Sequence, residues 1–305
     1  MKVISSIPKD ITAILNKSPQ IGRRELAYQC DISESMARNY TWLFKNSRSI
    51  YHYELNPPKS GKTKRAGLLP DIHFPYHDQA ALDCAVDYLV KIGIDTLVLT
   101  GDGVDCYWIS YWKSDPMRPI FAKEVEITKP MIAKLSSYFP DTEKVWMLGN
   151  HEDRLRRLLQ GESRKLAGLK ALTIPEIFEL ESYGFKWVSN RDLLRSGLKP
   201  FSIGKLFILH GDEVRISGGA VNFAKLHYDK NPVTQVNSHH HSTQEYIVRK
   251  MDLKVDGSWV MGCLCDLNPE YAPSNRWNHG FGVVEWDADG YFSFENKKIL
   301  DGKVL

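Results

Sequence analysis

The chain has 305 residues, 43% of them apolar, enough for a real core in one large domain or two by the rough prior of about 150 residues each. No apolar run approaches the ~20 residues that span a membrane, and the opening stretch lacks the continuous apolar segment of a secretory leader, so a membrane partner is not expected. Five cysteines without C-x-x-C spacing argue against a disulfide-stapled secreted fold, and the expected setting is reducing and cytoplasmic.

The net charge of +3 is unevenly spread. Residues 1–65 carry 12 Lys/Arg against 5 Asp/Glu, and residues 66–305 carry 28 against 32. A basic front on a mildly acidic body suggests a small domain facing a polyanion, or simply a solvated basic surface. The front, 1–55, predicts three short helices over 8–16, 23–30 and 35–45. Asp31 or Ser33 is placed to cap the third, which carries Arg38, Asn39, Tyr40 and Lys45. Two helices joined by a tight turn suit a helix-turn-helix, whose second helix can enter the major groove. A three-helix packing or dimer module has the same outline. Residues 56–65 (NPPKSGKTKR) read as a basic linker; the G-x-x-x-x-G-K-[ST] spacing of a P-loop is absent.

From residue 66 the pattern alternates. Strands are predicted at 66–69, 95–100, 144–148, 206–209 and 233–236, and helices at 80–92, 123–138, 152–159 and 219–228. After residue 241 the pattern turns to β, with strands at 245–249, 258–262, 282–286 and 291–295 and a turn at 287–290. Short apolar strands alternating with helices argue for an α/β arrangement, in which sites sit just beyond strand ends.

Those strand ends carry the chemistry. Asp71-x-His73 follows the first strand, and i, i+2 side chains on extended chain share one side. Asp102 and Asp105 follow the second within Gly101-Asp-x-x-Asp, with Gly101 and Gly103 permitting close backbone approach. Asn150-His151-Glu152 follows the third. His210 ends an apolar run, and His239-x-His241 ends a β-branched one, with His240 pointing the other way. Taken singly, each block has a plain alternative: a solvated turn, a strand-to-helix turn, a helix cap, a structural histidine. Together their oxygen and nitrogen atoms suit two divalent cations, which can split a phosphate ester.

The order D-x-H, G-D-x-x-D, G-N-H-[DE], H, then G-H-x-H resembles the calcineurin-like metallophosphoesterase superfamily, over about 65–285. The resemblance implies a β-sandwich flanked by helices in 66–305, behind a small all-α front. It implies that Asp71, His73 and His241 hold one metal, that Asn150, His210 and His239 hold the second, and that Asp102 bridges them. His151 would be the general acid, oriented by Asp105. Two divalent ions are expected, Mn²⁺ first with Fe, Zn²⁺ or Mg²⁺ as alternatives; the N and O donors without thiolate fit Mn²⁺, Fe or Zn²⁺ and do not choose among them. Two departures are visible. Ser238 stands where the superfamily has Gly, an uncomfortable residue if φ must be positive there, and Pro70, which cannot donate a ladder hydrogen bond, precedes Asp71.

Cys106 and Leu148 occupy the positions where the superfamily's protein phosphatases carry phosphate-gripping arginines. The chain looks more like the bacterial and phage-type members. Arg154 is either a replacement phosphate contact or an ordinary helix residue. Tyr107, Trp108, Tyr111 and Trp112 could stack bases or fill a core. The expected activity is a phosphodiesterase acting on nucleic acid or nucleotides, with nucleic acid held through residues 1–65. The alternatives are a phosphomonoesterase for a small-molecule or protein phosphoester, and an inactive DNA-binding regulator.

Overall fold

The computed structural model describes residues 2–3, 8–18, 20–45, 51–111, 115–161, 163–215 and 221–305. The chain divides into two compact units, Met1–Tyr53 with Ser189–Pro200, and Glu54–Val188 with Phe201–Leu305. Among the described residues no helix is long and apolar enough to cross a membrane.

In the first unit β1 (Lys2–Val3) pairs antiparallel with β2 (Tyr51–His52), and between them lie α1 (Lys9–Lys17), α2 (Arg23–Cys30) and α3 (Glu34–Lys45). Ile11, Leu15, Leu26, Ala27 and Ala37 form its core. α2 ends where Asp31 turns left-handed at φ 50°. The Ser33 hydroxyl then accepts from Met36 N at 3.2 Å, the cap read from the sequence. Arg38 is exposed; the side chains of Asn39 and Lys45 lie outside the described residues.

The second unit carries β3 (Thr63–Leu69), α4 (Gln79–Ile92), β4 (Thr96–Leu99), α5 (Phe121–Ser137), β5 (Glu143–Met147), α6 (Asp153–Gly161), α7 (Ile174–Ile177) and β6 (Phe185–Val188). After α8 (Asn190–Arg195, in the first unit) come β7 (Ser202–Ile203), β8 (Leu206–Ile208), α9 (Phe223–Lys230), β9 (Gln235–Asn237), β10 (Gln244–Arg249), β11 (Val255–Val260), β12 (Gly280–Asp287), β13 (Phe292–Leu300) and β14 (Lys303–Val304). Two sheets result, ordered β14-β13-β12-β3-β4-β5-β6 and β10-β11-β9-β8-β7. With helices flanking them, this is the mixed α/β sandwich that the motif order implies.

β3 begins three residues before the expected strand because Thr63, Lys64 and Arg65 pair with Asp287, Trp286 and Glu285 of β12. The ninth helix begins at Phe223 rather than 219, since Asn222 caps it by accepting from Lys225 N at 2.8 Å; residues 216–220 lie outside the described residues. β4 is buried throughout, as a central parallel strand must be. The parallel strands β3, β4 and β5 of one sheet and β8 and β9 of the other all lead directly into the motif-bearing loops.

Candidate metal centre and catalytic site

The loops are held in an unusual backbone state. Asp71, His73, Asp102, His239 and His241 all have positive φ, between 44° and 67°. A side chain with a Cβ pays about 1–3 kcal/mol to sit there unless its surroundings insist. Here the surroundings are specific. Asp71 N donates to Gly101 O, His73 N to Asp102 O and Phe74 N to Gly103 O, which locks the first two loops together. His239 N donates to both carboxylate oxygens of Asp71, at 3.2 and 3.0 Å. Gly149 is obligatory, because a Cβ there would stand 2.3 Å from Asp102 Oδ1. Pro70 falls just past the end of β3, where no ladder bond is required. Ser238 is not among the positive-φ residues; the left-handed turn falls on His239 instead, so serine costs nothing.

Glu152 ties the loops from below. Its buried carboxylate accepts from Asp102 N (3.1 Å), Gly103 N (2.9 Å), Val104 N (3.3 Å), Gly149 N (2.9 Å) and the Trp146 indole (3.1 Å). Burial and the neighbouring Asp102 push its carboxyl up, against these donors. Sequence reasoning gave this residue no role, although its place in G-N-H-E was a usable signal.

All seven expected metal-holding side chains converge. Asp71, His73 and Asp102 offer atoms within 4.8 Å of one another, and so do Asp102, His210 and His239. His241 Nε2 lies 3.3 Å from Asp71 Oδ1, and Asn150 Oδ1 lies 3.1 Å from His210 Nε2. Asp102 belongs to both groups, with Oδ2 at 3.2 Å from His210 Nε2 and 4.0 Å from His73 Nε2. His240 points away, stacked on Phe223 with its Nε2 2.9 Å from His227 Nε2.

The electrostatics fit cations. Burial opposes the charge of Asp102, but His151, His210 and His73 hold its carboxyl well below the usual carboxylate range. Burial likewise opposes Asp71, which His241 and His210 hold down. His210 is pushed up to about 10, burial being outweighed by Asp102. His241 is also pushed up to about 10, burial being outweighed by Cys265 and Asp71. His239 is pushed down to about 3 by burial and by His210. Protons on His210 and His241 thus balance the carboxylates, and a divalent cation would displace them. His73 adds a direct indication: its Nδ1 is 3.1 Å from Asp105 Oδ2, while its buried Nε2 has no hydrogen-bond partner. A buried ring nitrogen beside two carboxylates, with its other nitrogen already engaged, could hold a cation.

His151 sits at the rim, its Nε2 3.7 Å from Asp102 Oδ2. Asp105 reaches it chiefly through the main chain, with the carbonyl 2.8 Å from His151 Nδ1 and the carboxylate at 3.7 Å. The carboxylate's shorter contact is to His73, so Asp105 orients two histidines rather than one. Burial opposes its ionisation, yet His151 and His73 hold it well below its ordinary range. Arg154 does not project freely toward a substrate. It donates to Asp105 O (2.8 Å), Asp105 Oδ1 (3.3 Å) and Cys106 O (3.4 Å), and its Nη2 lies 2.9 Å from His151 Nε2. Since arginine only donates, that Nε2 is an acceptor here and the ring proton sits on Nδ1.

A cleft of 360 Å³ opens from His73, Asp105 and Cys265 toward Tyr76, Tyr107 and Tyr271. Of the described residues in the aromatic cluster, Tyr107 alone is half-buried there. Trp108 and Tyr111 are exposed, and Trp112 lies outside the described residues. Cys265 stands 3.7 Å from His241 Nδ1. No local motif announced the 265–277 segment, because the contacts that bring it to the site are long-range: Asp266 N donates to Tyr76 O, and Trp277 packs on His241 with ring centroids 4.2 Å apart.

Residues 65–263 match the family model described as calcineurin-like phosphoesterase, close to two thirds of the chain. The chain belongs to the calcineurin-like phosphoesterase family. Membership implies binding of two metals, and the two carboxylate–imidazole groups sharing Asp102 provide for them. Solved structures similar to this family member include a Vps29 single mutant from Entamoeba histolytica, at 13% identity and TM-score 0.40, covering 79% of this chain and 96% of that one. A dimetal phosphatase from Danio rerio is 11% identical with TM-score 0.38, covering 82% and 98%. The phosphoesterase Yfce from E. coli is 13% identical with TM-score 0.33, covering 76% and 98%. Among curated proteins, none matches the chain.

Proposed function

We propose that this family member is a dinuclear-metal-dependent hydrolase that cleaves phosphodiesters of nucleic acid or nucleotides, with Mn²⁺ as the working metal. The observation that carries the reading is Asp102, shared between two groups of buried carboxylate and imidazole donors. Asp71, His73 and His241 would hold one ion, and Asn150, His210 and His239 the other. When bound, the two ions supply neutralisation of the phosphoryl oxygens and a lowered pKa for an attacking water.

The chain's own residues do the rest. His151 lies at the rim, close to Asp102, where a departing oxygen needs a proton. To give that proton from Nε2, His151 must first lose its contact with Arg154 and take up a second ring proton there from solvent. Arg154 would exchange the imidazole for a phosphate oxygen as substrate arrives, so phosphate binding would release the acid. A diester is favoured over a monoester because Cys106 and Leu148 stand where the protein phosphatases place arginines, and Arg154 is engaged by three oxygens of the 105–106 loop. A monoester dianion needs more cationic grip than one shared guanidinium provides.

The test is hydrolysis of bis-p-nitrophenyl phosphate against p-nitrophenyl phosphate after Mn²⁺ loading, with the diester expected to be cut faster. The reverse preference would replace the diesterase reading with a phosphatase. The basic front supports delivery to nucleic acid, its second helix pair having a helix-turn-helix outline with Arg38 exposed on α3. Binding of the full chain to a labelled duplex should fall steeply with salt, and Arg38→Ala should weaken it. Unchanged binding in that variant would remove α3 as the recognition helix.

A further inference from the structure

The cleft beside the metal centre has a wall that the hydrolytic machinery does not use. Arg118 lies over the Tyr76 ring at 4.3 Å and the Tyr107 ring at 4.8 Å, and its Nη2 is 2.6 Å from Glu270 Oε2. The Tyr107 hydroxyl donates to Glu270 Oε1 and accepts from Asp115 N at 2.9 Å. This closed clamp joins residues from three distant segments and stiffens one side of the cleft. Tyr271, which also lines the cleft, keeps 64% of its surface exposed. The Tyr76 hydroxyl is buried beside the Arg118 guanidinium.

We infer that this cleft is a specificity pocket that receives a single uncharged nucleoside esterified to the phosphate held at the metal centre; the inference rests on the phosphoesterase reading above. Size is the first argument. A volume of 360 Å³ is near the lower end for small-molecule sites, roughly 300–1,000 Å³, and suits one nucleoside rather than a duplex. Charge is the second. Asp78, Asp105 and Asp266 line the cleft, and Glu270 already neutralises Arg118. A further phosphate in the cleft would face carboxylates, so a phosphopeptide or the interior of a strand is disfavoured. Chemistry is the third. A quaternary ammonium needs open aromatic faces, and Arg118 covers those of Tyr76 and Tyr107. What remains is one exposed aromatic face at Tyr271 and carboxylates able to accept from amino groups. That set matches the face and edge of a nucleobase, whose stacking on one aromatic is worth a factor of about 10–100.

The experiment is calorimetric titration of the Mn²⁺-loaded full chain with the P–C-bonded phosphonate analogue of adenosine monophosphate, and with methylphosphonate. Neither can be hydrolysed. The nucleoside phosphonate should bind about 10- to 100-fold tighter, and the same analogue with an added 3′-phosphate should lose most of that gain. Tyr271→Ala should collapse the ratio while Tyr271→Phe keeps it, which separates stacking from a folding defect. Equal binding of the two phosphonates, binding of neither, or an undiminished ratio in Tyr271→Ala would overturn the inference. Hydrolysis of bis-p-nitrophenyl phosphate by the same preparation shows whether the phosphoesterase reading has failed with it or stands alone.

Discussion

Replacing Glu152 by Gln should damage the centre from beneath. The carboxylate offers two oxygens, one taking Asp102 N and Gly149 N, the other taking Gly103 N, Val104 N and the Trp146 indole. A carboxamide has one acceptor oxygen, and its NH₂ must face whichever donors it displaces. In either orientation at least two buried N–H groups lose their acceptor, at about 1–3 kcal/mol each, or roughly 2–6 kcal/mol together. Relief of repulsion between Glu152 and Asp102 offsets part of this, since burial and Asp102 both push the Glu152 carboxyl up. For a unit of this size each kcal/mol moves the melting temperature by about 2–4 °C, so a fall of roughly 5–20 °C is expected. Melting at pH 7.5 in chelator, followed by Mn²⁺ titration, is the assay. Metal affinity should fall as well, because these N–H groups hold the loops bearing Asp102 and Asn150. A variant that melts within about 2 °C of wild type and binds Mn²⁺ as tightly would refute the claim that Glu152 organises the loops.

Asp102→Asn should lose most of both ions by elemental analysis, since Asp102 is shared by the two groups; full metal content would remove it from that role. His151→Ala should retain metal yet lose about 10²–10⁴-fold in rate, with a smaller loss on esters of acidic leaving groups that need no proton. An equal loss on good and poor leaving groups would argue against a general acid. Glu124 gives a pH dependence. Burial and Asp105 push its carboxyl up to about 8 from an ordinary 4.5, although Cys106 N and Tyr107 N donate to it. A raised carboxyl binds its proton more tightly when folded. Its contribution to stability is therefore fully present below about 4.5 and is lost as pH rises through about 8. The urea midpoint of wild type should fall relative to Glu124→Gln between pH 6 and 9, and parallel profiles would contradict the shift.

Much of the site was legible in the sequence because each ligand-bearing loop is local: an apolar run ends, and one to three residues later a carboxylate, amide or imidazole follows. Strand geometry converts that pattern directly into position, since parallel strands deliver their following loops to one end of a sheet. The long central strands were found for the same reason. β6, β7 and β14 were missed, being two to four residues long at sheet edges, where burial is too partial to impose a period. Which atom meets which was decided by tertiary structure alone. Asp105 looks like a partner for His151 in the motif, but the fold turns its carboxylate toward His73 and leaves its carbonyl for His151. Arg154 looks like a free phosphate grip and is held by the 105–106 loop. Tyr107 and Glu270 meet across 163 residues of chain. Local pattern determines which groups sit at strand ends, because it depends on a few neighbouring residues. Hydrogen-bond pairing and the cleft wall depend on distances between loops from two sheets, and those distances exist only once the sandwich has closed.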